Sequence, residues 1–231
     1  MQITAVIAST RAVDKSEYSQ FDYVVVVPGN DSPARKRNRG VELAITDVVA
    51  FFDDDAVPIP GWKERCCAIF DENPDVVLVG GPSIPTPTAN AVQKLLHRIM
   101  ASASESTWKR YAMLPEQITD WQSFAGCSIA VRRLSSIRWN ERYQMASGED
   151  MDYVRQVAER GKCFYSPALA VWHNPHGVLL QLKRIFLWGR DAERNNSKAS
   201  LAALLFPFLW CVFALMYGVG KSVGYPRKIS L

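Results

Sequence analysis

Hydrophobic and polar positions follow two different periods along most of the chain. Short apolar runs rich in valine and isoleucine are typical of strands buried on both faces. Longer stretches, in which apolar residues recur every three or four positions, are typical of helices that pack one face on a core. The short runs predict strands over 3–8, 22–27, 48–52, 76–80 and 124–131, and a strand pair or an extended run over 163–171. The longer stretches predict helices over 34–44, 61–73, 91–103 and 148–160, with Trp62, Cys66, Ile69 and Phe70 on the inward face of helix 61–73.

The alternation of strand and helix patterns is typical of an α/β domain. Segment 28–33 contains two prolines, a glycine, an asparagine, an aspartate and a serine, which is the composition of a loop. It separates strand 22–27 from helix 34–44, and strand 48–52 completes a predicted βαβ unit. The connection between strands 3–8 and 22–27 is barely long enough for a parallel crossover, so the sequence leaves the pairing of these two strands open.

An uncharged apolar run covers residues 199–220. About 20 apolar residues suffice to cross a bilayer, so the run predicts a membrane-associated helical tail over 191–231. Such a tail would hold the main domain, 1–190, on the cytoplasmic face of a membrane. Pro207 allows a helix that lies in the membrane surface or re-enters it, as well as one that spans it. A helix buried in the protein core is the alternative.

Composition indicates an ordinary globular protein with one sizeable core. The chain has 231 residues, of which 48% are hydrophobic and 22% charged. A formal charge of +4 is too small to argue for a nucleic-acid partner, and it suits contact with an anionic nucleotide or lipid. The five cysteines lack the spacing of a zinc site, and together with the polar N-terminal residues they predict reduced thiols in the cytoplasm.

Three consecutive acids, Asp53, Asp54 and Asp55, directly follow the predicted strand 48–52. Carboxylate oxygens suit a hard divalent cation, Mg²⁺ or Mn²⁺, which also binds phosphate oxygens. The prolines that follow prevent a helix here, so the acids should lie at a strand end, where open α/β sheets bind their ligands. This pattern predicts a metal site that handles a diphosphate, and the alternative is a solvated turn without a ligand.

A second group of acids, Glu149, Asp150 and Asp152, opens helix 148–160. Carboxylates in the first turn of a helix are favoured by the positive end of the helix dipole, which is a sufficient structural reason for them. A carboxylate in this position, beside a second one that raises its pKa, is also suited to act as a general base.

Five segments, taken in order, resemble the nucleotide-sugar-dependent glycosyltransferases of family 2, which have the GT-A fold. They are ARKRNRG at 34–40, FDDD at 52–55, GCSIAVRR at 126–133, GEDMD at 148–152 and WH at 172–173. The resemblance extends from about residue 22 to about residue 190. It implies a Rossmann-like α/β fold with a mixed, mainly parallel sheet flanked by helices. It also implies that 1–190 is a catalytic domain that transfers a sugar from a nucleoside-diphosphate sugar to an acceptor hydroxyl with inversion.

The resemblance implies roles for individual residues. Asp55 resembles the acid that binds the metal, Asp53 the acid that contacts the metal or the ribose, and Asp150 the general base, while His173 is a candidate third metal ligand. Donor binding is implied for Asp31, Arg35, Asn38, Asp53, Arg184 and Arg190, and an acceptor-side place for Glu149, Trp121 and Gly126. By alternation along an extended segment, Asp54 should face away from the metal.

The implied cofactor is Mg²⁺ or Mn²⁺, and the implied partners are a nucleoside-diphosphate sugar and a glycan or lipid-linked acceptor near a membrane. The sequence departs from the family pattern at 8–11 and at the end of strand 22–27. That departure keeps open a nucleotide-sugar-binding or scaffold protein without turnover. A nucleotidyltransferase is the other alternative, since metal-bound acids also serve nucleotide transfer.

Overall fold

The computed structural model describes residues 1–104, 111–134, 136–143 and 148–175. The strands are β1 Ile3–Ser9, β2 Tyr23–Pro28, β3 Val48–Asp53, β4 Val57–Pro58, β5 Val76–Gly80, β6 Ser83–Ile84, β7 Gln117–Thr119, β8 Ile129–Arg132, β9 Lys162–Tyr165 and β10 Val171–Trp172. The helices are α1 Pro33–Leu43, α2 Trp62–Glu72, α3 Ala91–Ser104 and α4 Glu149–Ala158.

The main sheet has seven strands in the order β2-β1-β3-β8-β5-β9-β7. Strands β2, β1 and β3 are parallel to one another, and so are β5 and β9, whereas β8 and β7 run antiparallel to their neighbours. A second, small sheet has the order β4-β10-β6. Buried hydrophobic clusters lie on both faces of the main sheet. The prediction of a mixed, mainly parallel α/β sheet flanked by helices is confirmed.

The short connection between β1 and β2 does form a parallel crossover. It does so without a full helix, because a 3₁₀ turn at Lys15–Tyr18 is enough to cover this part of the sheet. Tyr18 is fully buried against Phe52, with their ring centroids 5.7 Å apart. The Tyr18 hydroxyl also donates a hydrogen bond to the carbonyl oxygen of Ala56 at 3.0 Å. One large amphipathic side chain therefore fastens the crossover to the segment that follows β3.

Helix α1 lies unusually close to β1 at Gly40. A methyl group on Gly40 would lie 2.1 Å from Cγ1 of Val6, which is a buried strand residue. The same helix buries Lys36, Arg37 and Asn38, each with 4% exposure or less. The close approach thus brings a charged helix face against the ends of the parallel strands.

Several predicted elements have different bounds in the structure. The apolar segment 124–131 is a strand only from Ile129, because 124–128 forms a turn in which the Ser128 amide donates to the Ala125 carbonyl at 3.1 Å. Of the two alternatives for 163–171, the structure shows two strands, β9 and β10, which are separated by a 3₁₀ turn at Pro167–Leu169. The predicted inward face of α2 is confirmed, since Trp62, Cys66, Ile69 and Phe70 are its buried residues. The cysteines that the structure describes are not in disulfide bonds; they are Cys66, Cys67, Cys127 and Cys163.

The predicted position on the cytoplasmic face of a membrane requires correction. Within the described part of the chain, none of the helices has both the length and the apolar character that crossing a bilayer demands. The apolar run 199–220, on which the prediction depended, lies outside the described residues, as does the proposed domain boundary at residue 190. The membrane position is therefore withdrawn, and the division into 1–190 and 191–231 stays a prediction.

Replacing Gly40 with alanine should destabilise the fold. Alanine favours a helix over glycine by about 1 kcal/mol, but its methyl group would press into the stiff side chain of Val6. Overpacking of this kind costs about 1 to 3 kcal/mol, so we expect a lower free energy of unfolding for Gly40→Ala in urea titrations. Arg39→Ala, on the exposed side of the same helix, is the matched control. A Gly40→Ala protein as stable as that control would contradict the close packing.

Candidate active site

Two acids at the end of β3 and one histidine form a partly buried cluster, which we call the acidic crevice. Asp53, Asp55 and His173 each offer one ligand atom, and these three atoms all lie within 4.8 Å of one another. Nε2 of His173 is 3.2 Å from Oδ1 of Asp55. The small sheet creates this proximity, because Trp172 pairs with Val57 in antiparallel register and so carries the next residue, His173, back alongside Asp55.

The carboxylate of Asp54 binds the loop after β1. Alternation along an extended segment is not the reason, because residues 54–55 form a turn in which the Ala56 amide donates to the Asp53 carbonyl oxygen at 3.1 Å. Its carboxylate accepts hydrogen bonds from the Thr10 amide at 2.8 Å and from the Ser9 hydroxyl at 3.1 Å. The guanidinium of Arg11 donates to the Asp54 carbonyl oxygen at 2.6 Å. Asp54 therefore fixes the loop after β1 to the end of β3, which leaves Asp53 and Asp55 as the acids available to a ligand in the crevice.

Arg37 joins the end of β3 to the start of α4. Its side chain is 3% exposed, with Nη2 2.7 Å from Oδ1 of Asp53 and Nη1 3.1 Å from Oε1 of Glu149. The guanidinium also lies 4.4 Å from the ring centroid of Trp139. Burial lowers the pKa of Arg37, but the charges of Asp53 and Glu149 more than reverse this effect and raise it. Burial and the charge of Asp150 raise the pKa of Glu149, while Arg37 opposes them.

Asp150 lies in the first turn of α4 and faces the loop before β8. Its carboxylate accepts a hydrogen bond from the Met151 amide at 2.9 Å and a longer one from the Gly126 amide at 3.4 Å. A methyl group on Gly126 would lie 3.0 Å from Cβ of Asp150 and 3.3 Å from Nη2 of Arg37. The absence of a side chain at Gly126 thus allows the loop, the acid and the guanidinium to meet.

The other predicted donor residues are placed less centrally. Arg35 and Asp31 form an exposed ion pair at 3.3 Å, and Arg35 also pairs with Glu141 at 3.3 Å. Asn38 is buried, and its amide donates to the Trp139 carbonyl oxygen at 2.9 Å and to the Glu141 carboxylate at 2.8 Å. Asn38 is therefore occupied in holding segment 136–143 against α1, and is not among the side chains brought to the acidic crevice.

Three predicted site residues remain, and the structure describes one of them, Trp121. Trp121 lies in a 3₁₀ turn, Trp121–Ser123, and packs against the buried cluster that includes Tyr153 and Val154 of α4. Arg184 and Arg190 lie outside the described residues. Their implied roles stay predictions.

Sequence reasoning missed the two buried charges of α1. Nζ of Lys36 donates to the carbonyl oxygens of Ser9 at 3.0 Å and Gly29 at 3.1 Å, which joins the ends of β1 and β2. Burial lowers the pKa of Lys36. The spacing of Ala34, Arg37 and Val41 could have predicted the burial of Arg37. Positions three and four apart share one face of a helix, and the apolar residues one turn before and one turn after Arg37 mark that face as buried.

The sequence is similar to those of known glycosyltransferases. The chain is 47% identical over 73 residues to the glucosyl-dolichyl phosphate glucuronosyltransferase of Haloferax volcanii, which is 31% of this chain and 23% of that protein. It is 30% identical over 150 residues to a pre-mycofactocin glycosyltransferase of Mycobacterium tuberculosis, which is 64% of this chain and 31% of that protein. The matches therefore span less than a third of the length of these curated relatives.

Solved structures share the fold at low sequence identity. The mannosyltransferase PcManGT of Pyrobaculum calidifontis, in complex with GDP-Man and Mn²⁺, has a TM-score of 0.55 at 11% identity, covering 97% of this chain and 76% of that one. S. aureus TarS 1-349 in complex with UDP has a TM-score of 0.50 at 11% identity, covering 100% and 76%. At these identities the likeness shows the fold alone. The model of the family described as Glycosyl transferase family 2 matches residues 15–138, more than half of the 231 residues, and the chain therefore belongs to that family.

Proposed function

We propose that this protein is an inverting, metal-dependent glycosyltransferase that moves a sugar from a nucleoside-diphosphate sugar to an acceptor hydroxyl. The observation that carries the proposal is the meeting of two acidic groups. Asp53 and Asp55 share a crevice with His173, and Arg37 links that crevice to the helix that begins with Glu149 and Asp150. A metal-binding group beside a carboxylate at a helix start supports donor binding and proton transfer at one site.

The residues of the crevice fit a divalent cation. Carboxylate oxygens suit Mg²⁺ and Mn²⁺, and an imidazole nitrogen suits a transition metal better than Mg²⁺, so we propose Mn²⁺ as the preferred ion. Asp55 and His173 would bind it, with Asp53 as a further ligand or as the contact to the ribose. When bound, the ion would supply positive charge that neutralises the departing nucleoside diphosphate.

Asp150 is the proposed general base. It takes the proton from the acceptor hydroxyl, whose oxygen attacks the anomeric carbon as the bond from that carbon to the diphosphate oxygen breaks. The sugar is then attached to the acceptor, the nucleoside diphosphate leaves, and the single displacement inverts the anomeric centre. The amides of Met151 and Gly126, which donate to Asp150, hold its carboxylate in a fixed orientation.

The donor and acceptor classes are proposed from the comparisons. The similar structures named above contain UDP in one case and GDP-Man in the other, which supports a panel of UDP- and GDP-sugars as candidate donors. A relative named for a glucosyl-dolichyl phosphate substrate supports a lipid-linked acceptor. Asp31 and Arg35, paired near the end of β2, are proposed to contact the nucleotide.

The products of donor turnover test the proposal directly. The protein is incubated with Mn²⁺ and each UDP- or GDP-sugar, and the phosphate-containing products are identified. Release of nucleoside diphosphate supports sugar transfer, with water as the acceptor when no other is supplied. A second incubation contains a nucleoside triphosphate and a sugar phosphate in place of the nucleotide sugar. Release of pyrophosphate there would indicate a nucleotidyltransferase instead. Binding without any product would indicate a scaffold protein.

Asp55→Ala should abolish metal-dependent nucleotide binding. In the wild type, Mn²⁺ should raise the thermal stability gained from UDP or GDP, because a ligand present at about 100 times its Kd adds about 2.7 kcal/mol to the free energy of unfolding. Asp54→Asn is the matched control, since its carboxylate binds Thr10 and Ser9 rather than facing the crevice. An Mn²⁺-dependent shift of the melting temperature that survives unchanged in Asp55→Ala would refute the metal assignment.

Asp150→Asn should remove turnover and leave donor binding nearly intact. A general base contributes about 10² to 10⁴ in rate and does not touch the bound nucleotide. The measurements are nucleoside diphosphate release and nucleotide affinity by calorimetry. Asp152→Asn serves as the control on the same helix turn, because Asp152 pairs with Arg155. Turnover by Asp150→Asn close to that of Asp152→Asn would leave Asp150 with a structural role only.

A further inference from the structure

Arg37 is a buried cation to which the proposed reaction assigns no task. Its two terminal nitrogens bind carboxylates from distant parts of the chain, Asp53 at the end of β3 and Glu149 at the start of α4. Arg37 and Glu149 are buried, with side chains 3% and 4% exposed, whereas Asp53 is 37% exposed. Burying an ion pair costs desolvation energy that can exceed the attraction between the charges, so a gain in stability does not by itself account for the arrangement. Its two acids are a donor-side residue and the direct neighbour of the proposed base, Asp150.

We propose that Arg37 is a positioning residue. Its single guanidinium holds Asp53, beside the metal site, and the first turn of α4, which carries Asp150, in a fixed relative position. This inference rests on the proposed function. Nη2 engages one oxygen of Asp53 and so fixes the direction in which its carboxylate faces the crevice. Nη1 engages Glu149, whose side chain is 4% exposed, and so fixes the first turn of α4, from which Asp150 projects.

The guanidinium is itself held from several sides. It lies over the ring of Trp139, and that ring stacks on Tyr153 of α4 with a centroid distance of 4.1 Å and an interplanar angle of 4°. The Asn38 side chain accepts from the Trp139 amide at 2.9 Å and donates to its carbonyl oxygen at 2.9 Å. Helix α1, segment 136–143 and helix α4 therefore fix the plane of the guanidinium together.

Two branches are essential to this role. A guanidinium is a planar fork that can donate to two separate acids, whereas the ammonium of a lysine is a point charge on a flexible stem. Arg37→Lys therefore keeps the positive charge, with its repulsion of a metal ion, and removes the fixed bridge between Asp53 and Glu149. Any loss of metal affinity in this variant reports on orientation rather than on charge.

The test measures Mn²⁺ binding without nucleotide by calorimetry, and nucleoside diphosphate release from a UDP- or GDP-sugar with water as the acceptor. We expect Arg37→Lys to lose about 10- to 100-fold in Mn²⁺ affinity, as for other residues that orient a metal ligand. We expect Glu149→Gln to keep the Mn²⁺ affinity of the wild type but to lose about 10- to 100-fold in kcat, because its effect reaches the reaction through the position of Asp150. Arg39→Lys, 62% exposed on the same helix, should change neither quantity.

The outcomes separate the inference from the proposed function. Wild-type Mn²⁺ affinity and kcat in Arg37→Lys would overturn the inference. Equal losses of Mn²⁺ affinity and kcat in Glu149→Gln, with a lower melting temperature, would also overturn it, because they would indicate a general loss of stability. Should Arg37→Lys fail to fold, the two measurements on Glu149→Gln decide alone. A wild-type protein that neither binds Mn²⁺ nor releases nucleoside diphosphate would instead remove the proposed function, and the inference with it.

Discussion

The burial of positive charge on helix α1, against the carboxyl ends of three parallel strands, is the constraint on which the rest of the site depends. Lys36 compensates its charge with the carbonyl oxygens of Ser9 and Gly29, and Arg37 compensates its charge with Asp53 and Glu149. A buried cation without such partners would be too costly to keep. The ends of β1, β2 and β3 and the start of α4 must therefore meet around this helix.

Close backbone approach makes that meeting possible, and two glycines provide it. At Gly40 the helix contacts the side chain of Val6 in β1 without an intervening Cβ. At Gly126 the loop before β8 comes near both Asp150 and Arg37, where a Cβ would be 3.0 to 3.3 Å from its neighbours. A larger residue would push α1 away from β1 at Gly40, and would push the loop away from Asp150 and Arg37 at Gly126. Glycine therefore acts in both places through its size.

The small sheet brings the histidine to the crevice. Its strands are only two residues long, and they matter through their register, which sets the residues that lie side by side, rather than through the area that they bury. Pairing β10 with β4 returns the chain to the acids at the end of β3 and places His173 beside Asp55. Pairing β10 with β6 on its other side holds this return in place, and the His173 amide donates to the Ile84 carbonyl oxygen at 2.7 Å.

The sequence by itself determined the features that depend on local periodicity and on order along the chain. The strand at Val76–Gly80, the inward face of α2 and the acids at the end of β3 follow from apolar patterns over a few residues, and the family follows from motifs in order. The tertiary structure alone decided that 124–128 is a buried turn, since apolar composition is equally compatible with a strand. It also decided that Arg37 bridges Asp53 and Glu149, because that contact joins residues far apart in the chain, and no local pattern fixes the partner of a buried charge.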